Sequence, residues 1–512
     1  MNFILIAILG LLALYIGHFC LRELTSYTRV QKYKKSGLKH VQYVFWPMAF
    51  LEIQKRFKTK DPYKKQKEKI EEFSEKEPFY VVGAKGTCTF TLLSDKAIAE
   101  FYKKETKYTV KHNNFITLKF LGFFWENGKK VEQGRATFSK IFHYSNIVSL
   151  MPQVAKIIRD HVAALRARVE QSQAKRLKID LKEEFLLSLF EDLTGAILLT
   201  GADKTIRATF EGKSISQLLK EMFHCFEMHP RNLMNKIPFV EQLGLSKEIN
   251  EFKKLQNGFK GIIEKQYKQR YNSTTEENLA DNSILDIMVK LNKKAERETG
   301  KPQFTIEEIS SNFEIFQFAA SDTSFQVSCS ATTYLAQTEN KRYQDALAKE
   351  IKTALGGASS IEEVDNDELS SLAQLDMVFR ETMRMANPAI QIARRRVVKD
   401  FQICGHRLKR GDFIRHLLVG YQPGYFKQPF EFRPERFEET ARKVIPHMKQ
   451  TPFSHGQRGC IGKYLGEMIV KLILVELVGK LRFEVEEGFE VEWGMNPIYG
   501  VANPNLVVSL RD

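Results

Sequence analysis

The sequence predicts a mainly α protein with small β-sheets, an α+β fold, and three observations carry that expectation. From about Ser145 to Glu350 the pattern is helical almost throughout, broken by the polar stretch STTEENLADNS at 273–283. Short β-rich runs flank it: PFYVVGAKGTCTFTLL at 78–93, RRVVKDFQI after Pro388, and the terminal IYGVANPNLVVSL. Only 15 prolines, no Gly/Ser-rich linker and no internal repeat divide the 512 residues, so residues 51–512 read as one large domain.

Taken in order, the first element is NFILIAILGLLALYIGHFCL, residues 2–21, which contain no charged side chain. About 20 helical residues span a bilayer core of roughly 30 Å, and this run lacks the basic start and small-residue cleavage site of a signal peptide. Residues 1–21 are therefore expected to be a transmembrane anchor in contact with membrane lipid, followed by a basic juxtamembrane linker over 22–50. Arg22, Arg29, Lys32, Lys34, Lys35 and Lys39 follow the span and none precedes it, so the positive-inside rule places the large body in the cytosol. A glycan on Asn272, in Asn272-Ser273-Thr274, would overturn that topology.

Between Lys55 and Lys76 charge is dense, with Phe57, Ile70 and Phe73 interleaved, the pattern of a solvated amphipathic helix. Residues 78–93 alternate and are broken by glycines, the signature of a hairpin. The net charge of +16 suits an acidic partner or anionic membrane, but the basic residues are dispersed and no nucleic-acid module signature is present, so no nucleic-acid partner is expected. Six cysteines, at 20, 88, 225, 329, 404 and 460, form no CxxC pair and point to reduced, intracellular chemistry.

Three constellations carry chemistry. In LDMVFRETMRMANP, Glu381 and Arg384 stand at i and i+3 on one helix face. Leu375, Val378, Phe379, Met383 and Met385 make that helix apolar on most sides, so the charged pair is expected to be buried, with the arginine donors satisfied by further partners. In EIFQFAASDTSFQVSCSATTYL, Ser321, Asp322, Thr323 and Ser324 crowd the middle of an apolar helix. Such residues compete for backbone hydrogen bonds, so the segment reads either as a helix with one polar face or as a local opening where Asp322 and Thr323 handle protons. In TPFSHGQRGCIGKYLG, Cys460 lies among Gly456, Gly459, Gly462 and Gly466 beside Phe453 and Arg458. Backbone N–H groups freed by tight turns, with one cation, offset the cost of a thiolate. With no second Cys or His at zinc spacing, that thiolate suits a haem iron better than zinc.

Phe453 to Gly462 matches the FxxGxRxCxG haem-ligand loop of the cytochrome P-450 superfamily, the haem-thiolate monooxygenases, at every fixed position. Glu381 to Arg384 resembles the family's ExxR pair, Phe432 to Phe437 its PERF segment, and Ala319 to Ser324 its oxygen-activating helix motif, all in family order. The resemblance covers essentially the whole chain and implies a cytochrome P-450 fold of the membrane-anchored microsomal type, at the endoplasmic reticulum. It implies haem b with Cys460 as axial thiolate, Phe453 beside the sulfur, and Gly456 and Gly462 letting the backbone turn tightly. It also implies Arg458, Arg395 and Arg135 toward the propionates, Asp322 and Thr323 relaying protons, and Arg436 completing a network with Glu381 and Arg384. Electrons would come from NADPH through an acidic flavoprotein reductase, and one oxygen atom would enter an apolar substrate of the fatty acid, sterol or xenobiotic class.

The chain departs from the family pattern in places. The usual WxxxR appears as Val131 to Arg135, and Trp125 stands six residues too early to replace the missing tryptophan. The proline pair after ExxR is reduced to Asn387-Pro388, and no PPGP-like hinge follows the anchor. Two rival readings keep the haem: a peroxide isomerase or dehydratase without a reductase, which retention of Asp322 and Thr323 opposes, and a non-catalytic membrane haem-binding protein, which predicts no NADPH turnover. HNNFITLKFLGFFW at 112–125 and MFHCFEMHPRNLMNKIPF at 222–239 lie where the family places loops over the substrate pocket, and each reads equally well as core.

Overall fold

The computed structural model describes residues 2–45, 76–112, 126–200, 210–228, 243–273, 283–354, 366–390, 394–420, 425–495 and 498–511, with isolated residues 48, 68, 124 and 240. The amphipathic helix expected over 55–76 and most of 112–125 and 229–239 lie outside these residues. The chain forms two compact units, residues 1–113 with 389–460, and residues 114–388 with 461–512.

Strands run in chain order as β1 (Val41–Tyr43), β2 (Phe79–Ala84), β3 (Thr87–Leu92), β4 (Thr109–Lys111), β5 (Arg176–Asp180), β6 (Arg395–Val397), β7 (Phe401–Ile403), β8 (His406–Leu408), β9 (Phe413–His416), β10 (Leu481–Glu484), β11 (Trp493–Met495), β12 (Tyr499–Val501) and β13 (Asn505–Leu510). In the first unit six of them form one sheet in the order β1-β2-β3-β9-β6-β4. β2 and β3 are the expected hairpin, pairing Phe79 with Leu92 through Ala84 with Thr87. Its two-residue turn holds Lys85 at φ 52° and Gly86 at φ 79°, the double positive φ that matches strand twist. Cys404 and Gly405 repeat that device between β7 and β8.

Helix α1 (Asn2–Lys35) runs unbroken through the position where an anchor was expected to give way to a linker. Its C-terminal half packs on the sheet, burying Ser26 and Val30. A Cβ on Gly83 of β2 would sit 2.4 Å from Val30 Cγ2, so only glycine lets the helix approach there. Arg29 pairs with Asp412, which also accepts from the Cys88 and Lys409 amides, at 3.0 and 2.9 Å. The basic segment is thus bound into the fold by a buried carboxylate. Among the described residues no helix is long and apolar enough to cross a membrane, and most side chains of residues 1–12 lie outside them. The transmembrane helix expected at the N-terminus is not found there. Helix α2 (Asp95–Tyr108), capped by Ser94, buries Ala97, Ile98 and Phe101 under the sheet.

The second unit is the helical one. It contains α3 (Lys129–Ile141), α4 (Tyr144–Gln171), α5 (Leu187–Gly195), α6 (Ile215–Met228), α7 (Lys247–Ser273), α8 (Ile284–Thr299), α9 (Ile306–Ala336), α10 (Lys341–Ala354), α11 (Ala373–Met385) and α12 (Lys463–Lys480). α9 packs against α5, α7, α11 and α12 and is buried over most of its length. Its start is a capping box, Thr305 and Glu308 each accepting from the other's backbone amide. The carboxylate of Glu350 accepts from the Gln374 and Leu375 amides at 2.9 and 3.2 Å, satisfying the N-terminus of α11 and fixing the helix that carries Glu381 and Arg384. β10, β13 and β5 form an antiparallel sheet, and β11 pairs with β12. β5 falls inside the region that reads as helix throughout; its partner β13 lies more than 300 residues away, so local periodicity carries little of its signal.

Candidate active site

In the first unit the loop before Cys460 is closed by its own backbone. Ser454 N donates to Thr451 O, Gly459 N to Gly456 O, and Cys460 N to Phe453 O, at 2.9, 3.0 and 2.9 Å. Gly456 to Arg458 form a single 3-10 turn, and Gly456 is held at φ 70°, where a side chain would be strained and its Cβ would meet Tyr102 at 3.5 Å. Gly462, expected to share that task, sits at φ −88° as the residue before α12 with nothing within 4 Å of a Cβ. The tight approach belongs instead to Gly459, whose Cβ would lie 3.3 Å from Gly456 O. Cys460 is reduced and exposed at the mouth of this loop.

A support absent from the sequence reading holds the loop. Tyr102 of α2 places its hydroxyl 2.8 Å from His416 Nδ1 of β9 and 2.9 Å from Ser454 Oγ. Ser454 is at φ 64°, an uncommon conformation for serine, and the tyrosine ties that residue to the core. Burial pushes His416 down to about 3, so the ring is neutral and the hydrogen bonds run as one chain, from histidine to serine or the reverse. A Tyr102→Phe variant leaves His416 Nδ1 buried without its partner. It is expected to lose about 1–3 kcal/mol of stability, measured by urea unfolding; an unchanged midpoint would remove the support.

Arg395 is buried on β6, where its Nε donates to Glu105 of α2. The arginine expected at a propionate therefore already holds a carboxylate, and Glu105 Oε2 has no partner among the described residues. Arg436, in the 3-10 turn Pro434–Phe437, donates to Gln428 O at 2.7 Å.

In the second unit Glu381 and Arg384 form a bidentate pair, Nε to Oε2 at 2.7 Å and Nη2 to Oε1 at 2.8 Å, with side chains 0 and 2% exposed. On α3, Val131 is buried where the family resemblance lacks its tryptophan, and Arg135 follows one turn later, half-buried. α9 is continuous α-helix, so the local opening considered for it is absent: the Thr323 hydroxyl returns to Ala319 O at 2.7 Å and Ser321 to Gln317 O at 2.6 Å. Yet Phe318 to Thr323 form a part-buried window, with Ala319 exposed, between buried runs at Ile309–Gln317 and Ser324–Ala336.

Asp322 lies in that window, and its Oδ2 is buried without a hydrogen-bond partner among the described residues. Burial pushes the carboxyl up to about 7, opposed by the Lys182 ammonium. An acid whose pKa is raised on folding is ionised against that cost only as pH rises. Relative to Asp322→Asn, the wild-type chain should therefore lose stability as pH increases from about 4 to about 7 and level off above. Urea unfolding of both across that range measures the difference; a wild-type stability that holds constant or rises with pH relative to Asp322→Asn would contradict the buried carboxyl.

Among the described residues no group of three or more metal-binding side chains exists, so a polydentate metal site is not built there. One exposed thiol on a closed loop has instead the donor chemistry of a single axial ligand, which fits haem.

The cytochrome P450 family model matches residues 46–507. Cytochrome P450 26B1 of Mus musculus is 26% identical over 361 residues, 69% of this chain and 64% of that protein. Thromboxane-A synthase of Mus musculus is 33% identical over 38% of this chain and 36% of its own. Sterol 14alpha-demethylase of Mycobacterium tuberculosis is 29% identical over 41% of this chain and 45% of its own. The chain thus spans between about a third and two thirds of these relatives' lengths. A solved structure, retinoic acid bound cyanobacterial CYP120A1, shares the fold with a TM-score of 0.66 at 17% identity, covering 85% of this chain and 92% of that one.

Proposed function

The chain belongs to the cytochrome P450 family, whose members are haem-thiolate monooxygenases, and on that premise we propose that it inserts one atom of dioxygen into an apolar organic substrate with electrons from NADPH through a flavoprotein reductase. The observation that carries this reading is the closed loop presenting Cys460 as an exposed thiol. When bound, haem would be held by the Cys460 thiolate and would supply the iron chemistry that activates dioxygen.

The chain's own residues do the rest. Phe453 shields the sulfur, and Gly456 lets the backbone turn beside it. The cations Arg458, Arg135 and Arg395 would hold the propionates, Arg395 from beside Glu105. Asp322 holds a proton at its buried carboxyl near neutral pH, where a group that gives and regains protons is most effective. Thr323 offers its hydroxyl one residue on. Glu381 and Arg384, with Arg436, act as structural residues that touch no substrate. Substrates of the fatty acid, sterol or xenobiotic class are supported by relatives whose names include a sterol demethylase.

Attachment to the endoplasmic reticulum membrane with a cytosolic body is part of the same proposal, supported by the uncharged run at 2–21 and the basic residues after it. Ligands that shift the haem spin state are found first and then turned over with NADPH and reductase under labelled dioxygen. One labelled oxygen in the product supports the reading. Product formed from organic peroxides alone, or no turnover with any spin-shifting ligand, overturns it.

A further inference from the structure

Basic side chains gather where the six-stranded sheet of the first unit meets α1. Arg396 stands opposite Phe413 in the register of β6 and β9, and Arg394, two residues earlier, lies on the same face of the sheet. The Arg394 guanidinium is 5.3 Å from the Phe413 ring centroid, and the His112 ring is 4.9 Å from the same phenylalanine. His112 N donates to Arg394 O at 2.9 Å, which holds the two residues side by side. At the β2–β3 turn, Arg22 of α1 donates from Nε and Nη2 to Lys85 O, at 3.1 and 2.8 Å. Its stem rests on that turn, since a Cβ on Gly86 would lie 3.5 Å from Arg22 Cβ. Arg22, Lys85 and Arg396 are exposed, and Arg394 and His112 are half-buried.

These groups act on one another as like charges. Burial, then Arg22 and Arg394, pushes the Lys85 ammonium down, and burial, then Arg394 and Arg396, pushes His112 down. The carboxylate beside Lys85 is Glu23, and it already accepts from the Tyr43 hydroxyl at 2.8 Å and the Lys85 amide at 3.3 Å. Among the described residues Arg394 has no carboxylate partner; burial lowers its pKa and the Phe413 ring is its neighbour. A cation drawn out of water without a counter-charge carries a free-energy cost that a bound anion offsets.

The surface next to the cluster indicates which anion. Leu14 and Tyr15 stand eight and seven residues before Arg22, two turns along the same side of α1, and both are exposed, as is Leu21. An exposed apolar helix side that runs straight into a basic cluster has the polarity of an anionic amphiphile, chains along one part and phosphate at the other. Guanidinium groups suit that phosphate because their planar donors bind two oxygens at once. We propose that Arg22, Lys85, Arg394 and Arg396 bind the phosphate headgroup of an anionic phospholipid whose acyl chains lie along Leu14, Tyr15 and Leu21 of α1. This rests on the proposal of membrane attachment and adds to it a charge class of lipid and a fixed seat for the sheet.

The test titrates the haem-loaded full chain, in neutral detergent, with short-chain phosphatidylserine, with phosphatidylcholine of the same chain length and with inorganic phosphate. Bound molecules are counted by native mass spectrometry. Phosphatidylserine is expected to bind about tenfold or more tighter than phosphatidylcholine. Arg22→Gln and Arg394→Gln should each reduce that preference about fivefold, and Arg394→Lys, which keeps the charge without the planar donors, should fall between. Lys443→Gln, the same loss of charge at an exposed lysine elsewhere in the first unit, should leave the preference unchanged. The thiolate-type difference spectrum confirms that each variant is folded. Equal affinity for the two lipids, or equal losses in Lys443→Gln and Arg394→Gln, overturns the site. Inorganic phosphate bound as tightly as phosphatidylserine removes the lipid as its occupant. Flotation with vesicles of phosphatidylcholine, alone or mixed with phosphatidylserine, separates the two readings. A chain that floats with both but shows no lipid preference keeps its attachment and loses the site. A chain that floats with neither loses the attachment, and the lipid site with it.

Discussion

Cys460→Ser is expected to erase the thiolate-type Soret band from the reduced, carbon monoxide difference spectrum and to bring NADPH-dependent product formation to background. The fold should survive. Cys460 is exposed, and the bond closing the loop, from its backbone amide to Phe453 O, does not involve the side chain. Exchanging sulfur for oxygen at such a position changes stability by no more than about 0.5 kcal/mol. What changes is the donor. Serine stays a neutral hydroxyl where cysteine ionises to a soft thiolate that pushes electron density onto iron. Cys20→Ser, at another exposed thiol, and Cys404→Ser, at a half-exposed one, supply the contrast and should leave the band intact. A normal thiolate-type band in Cys460→Ser, or its loss in either of the others, would remove Cys460 as the ligand.

The loop that carries Cys460 was legible because the sequence states its turn chemistry. A motif with fixed glycine, arginine and cysteine describes a loop closed by local backbone bonds, and such loops depend little on the rest of the chain. The hairpin at 78–93 was legible for the same reason, its turn residues Lys85 and Gly86 adopting the conformations a two-residue connection requires. The misses share the opposite cause. β5 exists because β13 pairs with it from the far end of the chain, and α1 packs past residue 21 against Gly83 of β2 and Asp412, just before β9, both distant in sequence. Tyr102, His416 and Glu105 carry no motif. Tyr102 and Glu105 lie on one helix and His416 in a strand, and only the fold brings Tyr102 to Ser454 or Glu105 to Arg395. Gly459 and Gly462 mislead because a motif records which positions are fixed, whereas the close approach to Gly456 O is a property of this loop's path.

The Glu381–Arg384 pair shows how burial alone rescales an interaction that spacing identifies. Exposed on a helix, such a pair contributes about 0.2–0.5 kcal/mol. Here both side chains are removed from water and joined by two charge-assisted hydrogen bonds. Removing one partner then leaves an ion in the interior without its counter-charge, at a cost of about 3–5 kcal/mol. Against a total stability of about 5–15 kcal/mol, either Glu381→Leu or Arg384→Leu alone is expected to unfold a large fraction of the chain and yield no haem-loaded protein. The cost belongs to the stranded charge and not to the lost bond, so the double variant Glu381→Leu/Arg384→Leu should recover most of the stability that either single change removes. Arg384→Lys should fall between, because the ammonium keeps the charge but cannot reproduce the planar two-point contact. Urea unfolding of the four variants, with the difference spectrum as a measure of loaded protein, tests the argument. Equal losses that simply add in the double variant would mean the two side chains act independently, and the buried pair would no longer account for the fold's dependence on them.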